Sequence, residues 1–442
     1  MAEETKHHAA RIDGLSLLVV GSALFLLTGI VWAVIAPRAL MDFRPAYFTA
    51  RCLLEHRDPY NPAEMQRTYA EAGQARPHES AGDRMLETRN EYLPSELPWT
   101  VPLALLPFTA AQALWVALIG AAFTLGAFLI WQQSSATPRL AGALLCVLLV
   151  SSPSLMAFGN PSALAVSLCV IAAWCFVSER WPRAGIFCLA AALCIKPHTV
   201  GFVWLYFLLA GGQFRRRALQ TLAVTAVVGV AGLLWVSVVA PHWLAELRTN
   251  LAAFTAHGAM NDPGPATGGG RGIHMITDLQ VVFSFLWDDP RFYNLASFIV
   301  CAPLFAVWVW GALRARASHR HAWLGLAAVS ALTMLPLYHR QYDAKLILLT
   351  VPACALLAAE GGHRGRWAVA LTTLAFILNG DWIWAALDGL LPRYHLDSLG
   401  PHVSLIAFPV PLSLLALGGF YLVVFARRVR QPEPARSHVL ES

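Results

Sequence analysis

Residues 15–36 read LSLLVVGSALFLLTGIVWAVIA, an apolar run without a single charge. At 1.5 Å of rise per residue, a helix over it is long enough for a hydrocarbon core of about 30 Å. Shortly after it comes Met41-Asp42-Phe43-Arg44-Pro45-Ala46-Tyr47-Phe48-Thr49-Ala50-Arg51-Cys52-Leu53-Leu54. Asp42 therefore stands where the first span leaves the membrane. An acid at such an edge is solvated, paired or chemically employed, and the rest of the chain bears on which.

Of 442 residues, 57% are hydrophobic and only 13% charged, against about 25% charged in ordinary soluble domains. The balance is that of a polytopic membrane protein. A net charge of +6 in a soluble chain would suggest a nucleic-acid partner. Here the arginines fall in small groups between apolar runs, as membrane topology requires, and no nucleic-acid partner is expected. Nearly all of the eight cysteines lie inside or at the rims of apolar runs, with no CxxC and no Cys/His pair at zinc spacing. Neither a disulfide framework nor a structural metal is indicated, and no cofactor is expected. Lys6, His7, His8 and Arg11 precede a first run too long for a signal-peptide core, so it reads as a retained span.

Further apolar runs fall at 101–131, 139–158, 161–178, 198–213, 218–240, 291–313, 321–337, 344–360, 366–387 and 403–426, with a short one at 184–195. The expectation is an all-α bundle of about twelve transmembrane segments. Arg180 and Arg183, Arg215 to Arg217, Arg314, Arg316 and Arg320, Arg364 and Arg366, and Arg427, Arg428 and Arg430 occupy alternate short loops. By the positive-inside rule both termini are cytoplasmic. Residues 1–14 and 427–442 are then tails, and 15–426 form one integral-membrane domain. Segments 37–100, 241–290 and 388–402 face outward. In the first, Asn61-Pro62-Ala63-Glu64 has the chemistry of a helix start, and Arg51 and Glu55 share a helix face. Tyr47, Phe48, Cys52 and Leu54 are expected to lie on the bilayer surface. The second contains Asn261-Asp262-Pro263-Gly264-Pro265 and Gly268-Gly269-Gly270, the composition of a loop or lid.

Four polar breaks stand out against this background. Asp42 is read as a general base facing outward. Lys196, in Ile195-Lys196-Pro197-His198, is costly amid apolar flanks; Pro197 ends the short helix before it, leaving the cation for a phosphate group. Tyr338-His339-Arg340-Gln341-Tyr342-Asp343-Ala344-Lys345 is denser in hydrogen-bonding groups than a connector needs. Phe158-Gly159-Asn160-Pro161 is a turn signal on the same outward side. His274 and Asp278, four apart, are too few for a metal. No DxD, Walker loop or GxSxG is present, so nucleotide-sugar use and serine hydrolysis are unsupported.

Asp42-Phe43 after the first span, Arg57-Asp58-Pro59-Tyr60, Tyr92-Leu93-Pro94 followed by Pro98, Pro102 and Pro107, Gly159-Asn160, Ala184-Gly185-Ile186 leading to Ile195-Lys196-Pro197, and His339 together resemble glycosyltransferase family 87. These are polyprenol-phosphate-mannose-dependent α-mannosyltransferases of the GT-C superfamily. The resemblance implies an inverting transfer from a lipid-phosphate sugar at the outer face of the plasma (inner) membrane. It places the base at Asp42. Positive charge for the departing phosphate then falls to Lys196, His339 and Arg340. Tyr47, Asn160, His198, Tyr342 and Asp343 are candidate substrate contacts. The partners implied are a polyprenyl-phosphate sugar donor, a glycan or glycolipid acceptor and membrane lipid. The chain departs from the family pattern at Asn261-Asp262, where an Asn-Gln-Ser element is expected, and in its His-Arg-Gln-Tyr-Asp loop, where an acid followed by a histidine pair is commoner. A flippase or other transporter is the competing reading. Transporters place their charges at midplane in paired halves, whereas here the polar breaks open to one face.

Overall fold

The computed structural model describes residues 13–36, 39–74, 81–264, 275–315, 318–390 and 409–431. Among them there is no strand, only a single bridge between Ile276 and Arg340. The helices are α1 (Gly14–Ile35), α2 (Phe43–Leu54), α3 (Pro62–Glu71), α4 (Ala81–Thr88), α5 (Leu97–Ala104), α6 (Phe108–Gln133), α7 (Pro138–Val150), α8 (Ser154–Phe158), α9 (Pro161–Val177), α10 (Pro182–Ile195), α11 (Pro197–Leu209), α12 (Gly212–Val239), α13 (Trp243–Thr255), α14 (Leu279–Ser284), α15 (Pro290–Arg314), α16 (His319–Leu332), α17 (Val351–Glu360), α18 (Gly362–Leu378), α19 (Asp381–Leu390) and α20 (Pro409–Arg430). The Gly268–Gly270 run, His274, residues 391–408 and most of both tails lie outside the described residues.

Six helical stretches among the described residues are long and apolar enough to cross a membrane: Gly14–Ile35, Phe108–Gln133, Pro138–Phe158, Gly212–Val239, Pro290–Arg314 and Pro409–Arg430. The other expected runs fold as shorter pieces, for local reasons. Pro197 divides α10 from α11, since proline lacks the N–H that would continue the helix. Residues 343–350 wind as a 3-10 helix before α17. Asn379 and Gly380 separate α18 from α19. The short helices α9 and α16 are buried on nearly every face, so they line the interior while the long helices surround them.

Small residues set the closest contact in the bundle. A side chain at Gly142 would meet the Gly14 carbonyl oxygen at 2.1 Å, and one at Gly21 would meet Cys146 Cα at 2.7 Å. Apolar side chains gain little by leaving lipid, so close backbone approach and packing bring helices together there. Thus α1 is registered on α7, and its far end delivers residues 40–42. The Leu40 amide donates to Ala157 O at 2.6 Å and the Asp42 amide to Phe158 O at 3.1 Å. Gly159 completes this junction in a left-handed turn (φ 65°); a Cβ there would press on Leu40 Cδ2 at 2.8 Å.

Two local expectations hold. Asn61 caps α3, accepting from Ala63 N, and Arg51 pairs with Glu55 at 2.6 Å. One is corrected: Tyr47, Phe48 and Cys52 do not lie on the bilayer but are buried. The helix α2 folds back under Phe108 and Trp115, which stack on Phe43, while Tyr69 covers Phe48 at 4.0 Å between ring centroids.

Deep in the bundle, Lys345 donates to Asn379 O at 2.6 Å and pairs with Asp381 at 3.3 Å, both side chains fully buried. Asp381 in turn accepts from Ser154 N at 2.6 Å. Removing one member of such a pair strands the other charge and costs about 3–5 kcal/mol. Lys345→Met and Asp381→Leu should each lower the melting temperature in detergent sharply. The double variant should lose less than the sum of the two; additive losses would show that the pair is not coupled.

Candidate active site

Four segments far apart in sequence wall a cleft: the Met41–Pro45 junction, Arg89 to Tyr92, Met260 with Asn261, and the Tyr338–Tyr342 loop. Asn160 lies between them. Of the residues expected to carry chemistry, Asp42, Asn160, Arg340 and Tyr342 meet here.

Asp42 is held from one side. Its Oδ2 accepts from Asn160 Nδ2 at 2.9 Å. The Asn160 amide cannot turn away, because its Oδ1 caps α9, accepting from Ser162 N at 2.9 Å and Ser162 Oγ at 2.6 Å. Burial pushes the Asp42 carboxyl above the usual carboxylate range, and the Asn160 bond and the charges of Arg340 and Lys196 offset this only in part. A raised carboxyl is a stronger base when ionised.

Arg340 supplies the cation of the cleft. Its guanidinium bonds the Tyr338 hydroxyl, Met260 O at 3.2 Å and Asn261 Oδ1 at 3.2 Å. These are neutral acceptors, and no described carboxylate lies within ion-pair distance of it. Arg89 also lines the cleft, bonded to Asn250 Oδ1 at 3.2 Å.

Lys196 does not stand free, as its apolar flanks suggested. It pairs with Asp343 at 3.2 Å, bonds the Ser162 hydroxyl and lies 5.1 Å from the Tyr342 ring centre. Asp343 also accepts from Thr199 Oγ1 at 3.2 Å and from the Arg340 amide at 3.0 Å. Burial alone would raise the Asp343 carboxyl, but the Lys196 charge and the bond from the Arg340 amide overcome this and hold it low. These contacts make it an anchor beneath the Arg340 loop, and it does not line the cleft. His339 is buried, with Nδ1 bonded to Leu337 O at 2.9 Å, and Nε2 has no hydrogen-bond partner among the described residues. A carbonyl only accepts, so Nδ1 carries the proton. Burial holds the ring neutral, and the Nε2 lone pair is no ligand for a phosphate oxygen. His198 sits beside it, the ring centroids 5.2 Å apart. Tyr47 is corrected as well: its hydroxyl donates to Leu106 O at 2.8 Å within the aromatic core, away from the cleft.

Sequence reasoning missed Glu91, Arg89 and Asn261 as members of the site. The one signal was the polar run Arg89-Asn90-Glu91-Tyr92 before the proline-rich stretch, and in a long polar segment such a run is unexceptional.

A family model described as glycosyltransferase family 87 matches residues 92–336. Comparison with curated proteins and with solved structures finds no match. The matched segment includes Asn160, Lys196 and Asn261 and stops short of Asp42 and Arg340.

Asn160→Asp tests the coupling at Asp42. It keeps an oxygen for the α9 cap but places a second carboxylate against the first, and two adjacent carboxylates resist joint ionisation. The acid limb of the pH–activity profile should move up by about one unit or more, since the base must lose its proton to work. An unmoved acid limb would uncouple Asn160 from the titrating group.

Proposed function

The chain belongs to glycosyltransferase family 87, and from that premise we propose that it is an inverting membrane enzyme of GT-C type. It moves a sugar, with mannose the first to test, from a polyprenyl-phosphate donor to a hydroxyl of a glycan or glycolipid acceptor. The reading rests on one observation: the carboxylate of Asp42 and the guanidinium of Arg340, which has no ion pair among the described residues, line the same cleft.

In the proposed step the acceptor oxygen bonds the anomeric carbon as the bond from that carbon to the phosphate oxygen breaks. Asp42 takes the hydroxyl proton. Polyprenyl phosphate leaves with the bonding electrons, and Arg340 stabilises the charge that develops on it. Lys196 adds positive field and, through Asp343, steadies the Arg340 loop. The donor's lipid tail stays in the bilayer beside the long helices.

The proposed orientation has the cleft outward, at the periplasmic side of the inner membrane, and both termini cytoplasmic. It draws support from the packing of the basic loops. Arg320 and Arg428 both reach Glu360, and His319 bonds Gln133 at 2.6 Å. These groups gather at the end of the bundle where α1 begins, whereas the cleft lies where α1 ends.

With purified protein and a panel of polyprenyl-phosphate sugars, Asp42→Asn should lose about 10²–10⁴ in turnover while donor binding persists. Arg340→Gln should weaken donor binding and slow transfer together. Wild-type turnover in Asp42→Asn, with any donor the wild type accepts, would remove Asp42 as the base.

A further inference from the structure

The cleft contains a second carboxylate that the transfer step above leaves unused. Glu91 enters it from the segment between α4 and α5. Its Oε2 accepts from Asn261 Nδ2 at 3.3 Å, and among the described residues its Oε1 has no hydrogen-bond partner. The orientation of Asn261 is set by its own oxygen, which receives the Tyr338 hydroxyl at 2.7 Å and the Arg340 guanidinium at 3.2 Å. Its nitrogen must then face Glu91. The backbone under Glu91 is anchored too. Asn90 Oδ1 accepts from Tyr92 N at 2.9 Å, and Asn90 O accepts from Asn250 Nδ2 at 3.1 Å, which ties the segment to α13.

Glu91 thus repeats the arrangement at Asp42: one carboxylate oxygen held by an asparagine amide, the other open to the cleft. The two differ in what lies behind the amide. Asn160 caps a helix, whereas Asn261 carries the cation. Glu91 therefore stands on the phosphate side, one amide away from Arg340. A sugar bound by its phosphate at Arg340 must run from there toward Asp42. An open carboxylate oxygen on that path meets ring hydroxyls, which are hydrogen-bond donors. A carboxylate suits them well, since hydrogen bonds with a charged partner are about twice as strong as neutral ones. We infer that Glu91 is a specificity-determining residue that accepts from a hydroxyl of the transferred sugar through its Oε1. This rests on the transfer reaction proposed above.

The test uses the full-length protein in detergent with polyprenyl-phosphate mannose and its monodeoxy analogues. Wild type should lose roughly tenfold to a hundredfold in kcat/KM on the analogue lacking the hydroxyl that Glu91 reads, the range for a hydrogen bond to a charged group. Glu91→Gln should lose a similar factor on the parent sugar and no longer penalise that analogue, while keeping its penalties on the others. Glu91→Asp, which keeps the charge but withdraws the oxygen, should fall between, and it carries the test if the glutamine variant fails to fold. Glu91→Gln that discriminates among the analogues as wild type does would overturn the inference and leave the transfer reaction standing. So would an equal, base-sized loss on every donor, which would make Glu91 the base instead. Wild type that transfers from no polyprenyl-phosphate sugar would overturn the reaction and the inference with it.

Discussion

The position of Asp42 depends on a single turn. Its amide is tied to Phe158 O and its carboxylate to Asn160, the residues either side of Gly159. Leu40, two residues upstream, holds a positive φ of 55°, which a bulky residue adopts only when its surroundings impose it. Here the surroundings are the Ala157 carbonyl and the tight seat above Gly159. The Trp115 indole donates to Gly159 O at 2.7 Å and fixes the turn from below. Displacing a reacting group by about 1 Å can cost on the order of a hundredfold in rate. A carboxylate on an unsupported helix end would not hold that tolerance; one wedged between α1, α6 and α9 can.

Pairing separates the interior charges into two kinds. Lys345 with Asp381 and Lys196 with Asp343 are matched across distant helices, and loss of one partner exposes the full cost of a buried charge. They hold structure. Asp42, Glu91 and Arg340 are instead held by asparagine amides, a tyrosine hydroxyl and a backbone oxygen. Neutral partners orient a charged group without neutralising it. The three therefore keep the electrostatic capacity that an incoming phosphate or hydroxyl would engage, and all three line one cleft.

Much of this was legible in the chain, for reasons that also explain the misses. Asp42, Asn160 and the Tyr338–Asp343 loop stand out because polar residues are costly in apolar context, so each break demands a purpose. Lys196 stood out for the same reason, but its ion pair was not legible, because its partner Asp343 lies far along the chain and flanking residues say nothing about it. Glu91 and Arg89 sit in a long polar segment where a charge carries no such signal. Tyr47 shows another limit. An amphipathic stretch reveals that a face is apolar, not whether lipid or a folded-back helix covers it, and here Phe108 does. Among the described residues six of the expected runs form helices long and apolar enough to cross a membrane, and the others fold as shorter pieces, because apolar composition marks burial as well as spanning. The buried helix α9 is as apolar as a span, yet at 17 residues it is shorter than the six long helices.

The extent of the family match fits this division of labour. Residues 92–336 omit Asp42, Glu91 and Arg340, the charged groups with the clearest chemistry. They include Asn160, which aims Asp42, Asn261, which joins Glu91 to Arg340, and Lys196, which anchors the Arg340 loop through Asp343. The matched segment thus supplies the partners that hold the three charged groups, which lie on the segments that flank it. The two flanks are nonetheless linked: Lys196, paired with Asp343 beneath the Arg340 loop, also bonds the Ser162 hydroxyl that holds Asn160 Oδ1, and Asp381, the partner of Lys345, accepts from Ser154 N in the segment that carries the Asp42 turn. A defect in these ion pairs would therefore disturb the charges on both sides of the cleft.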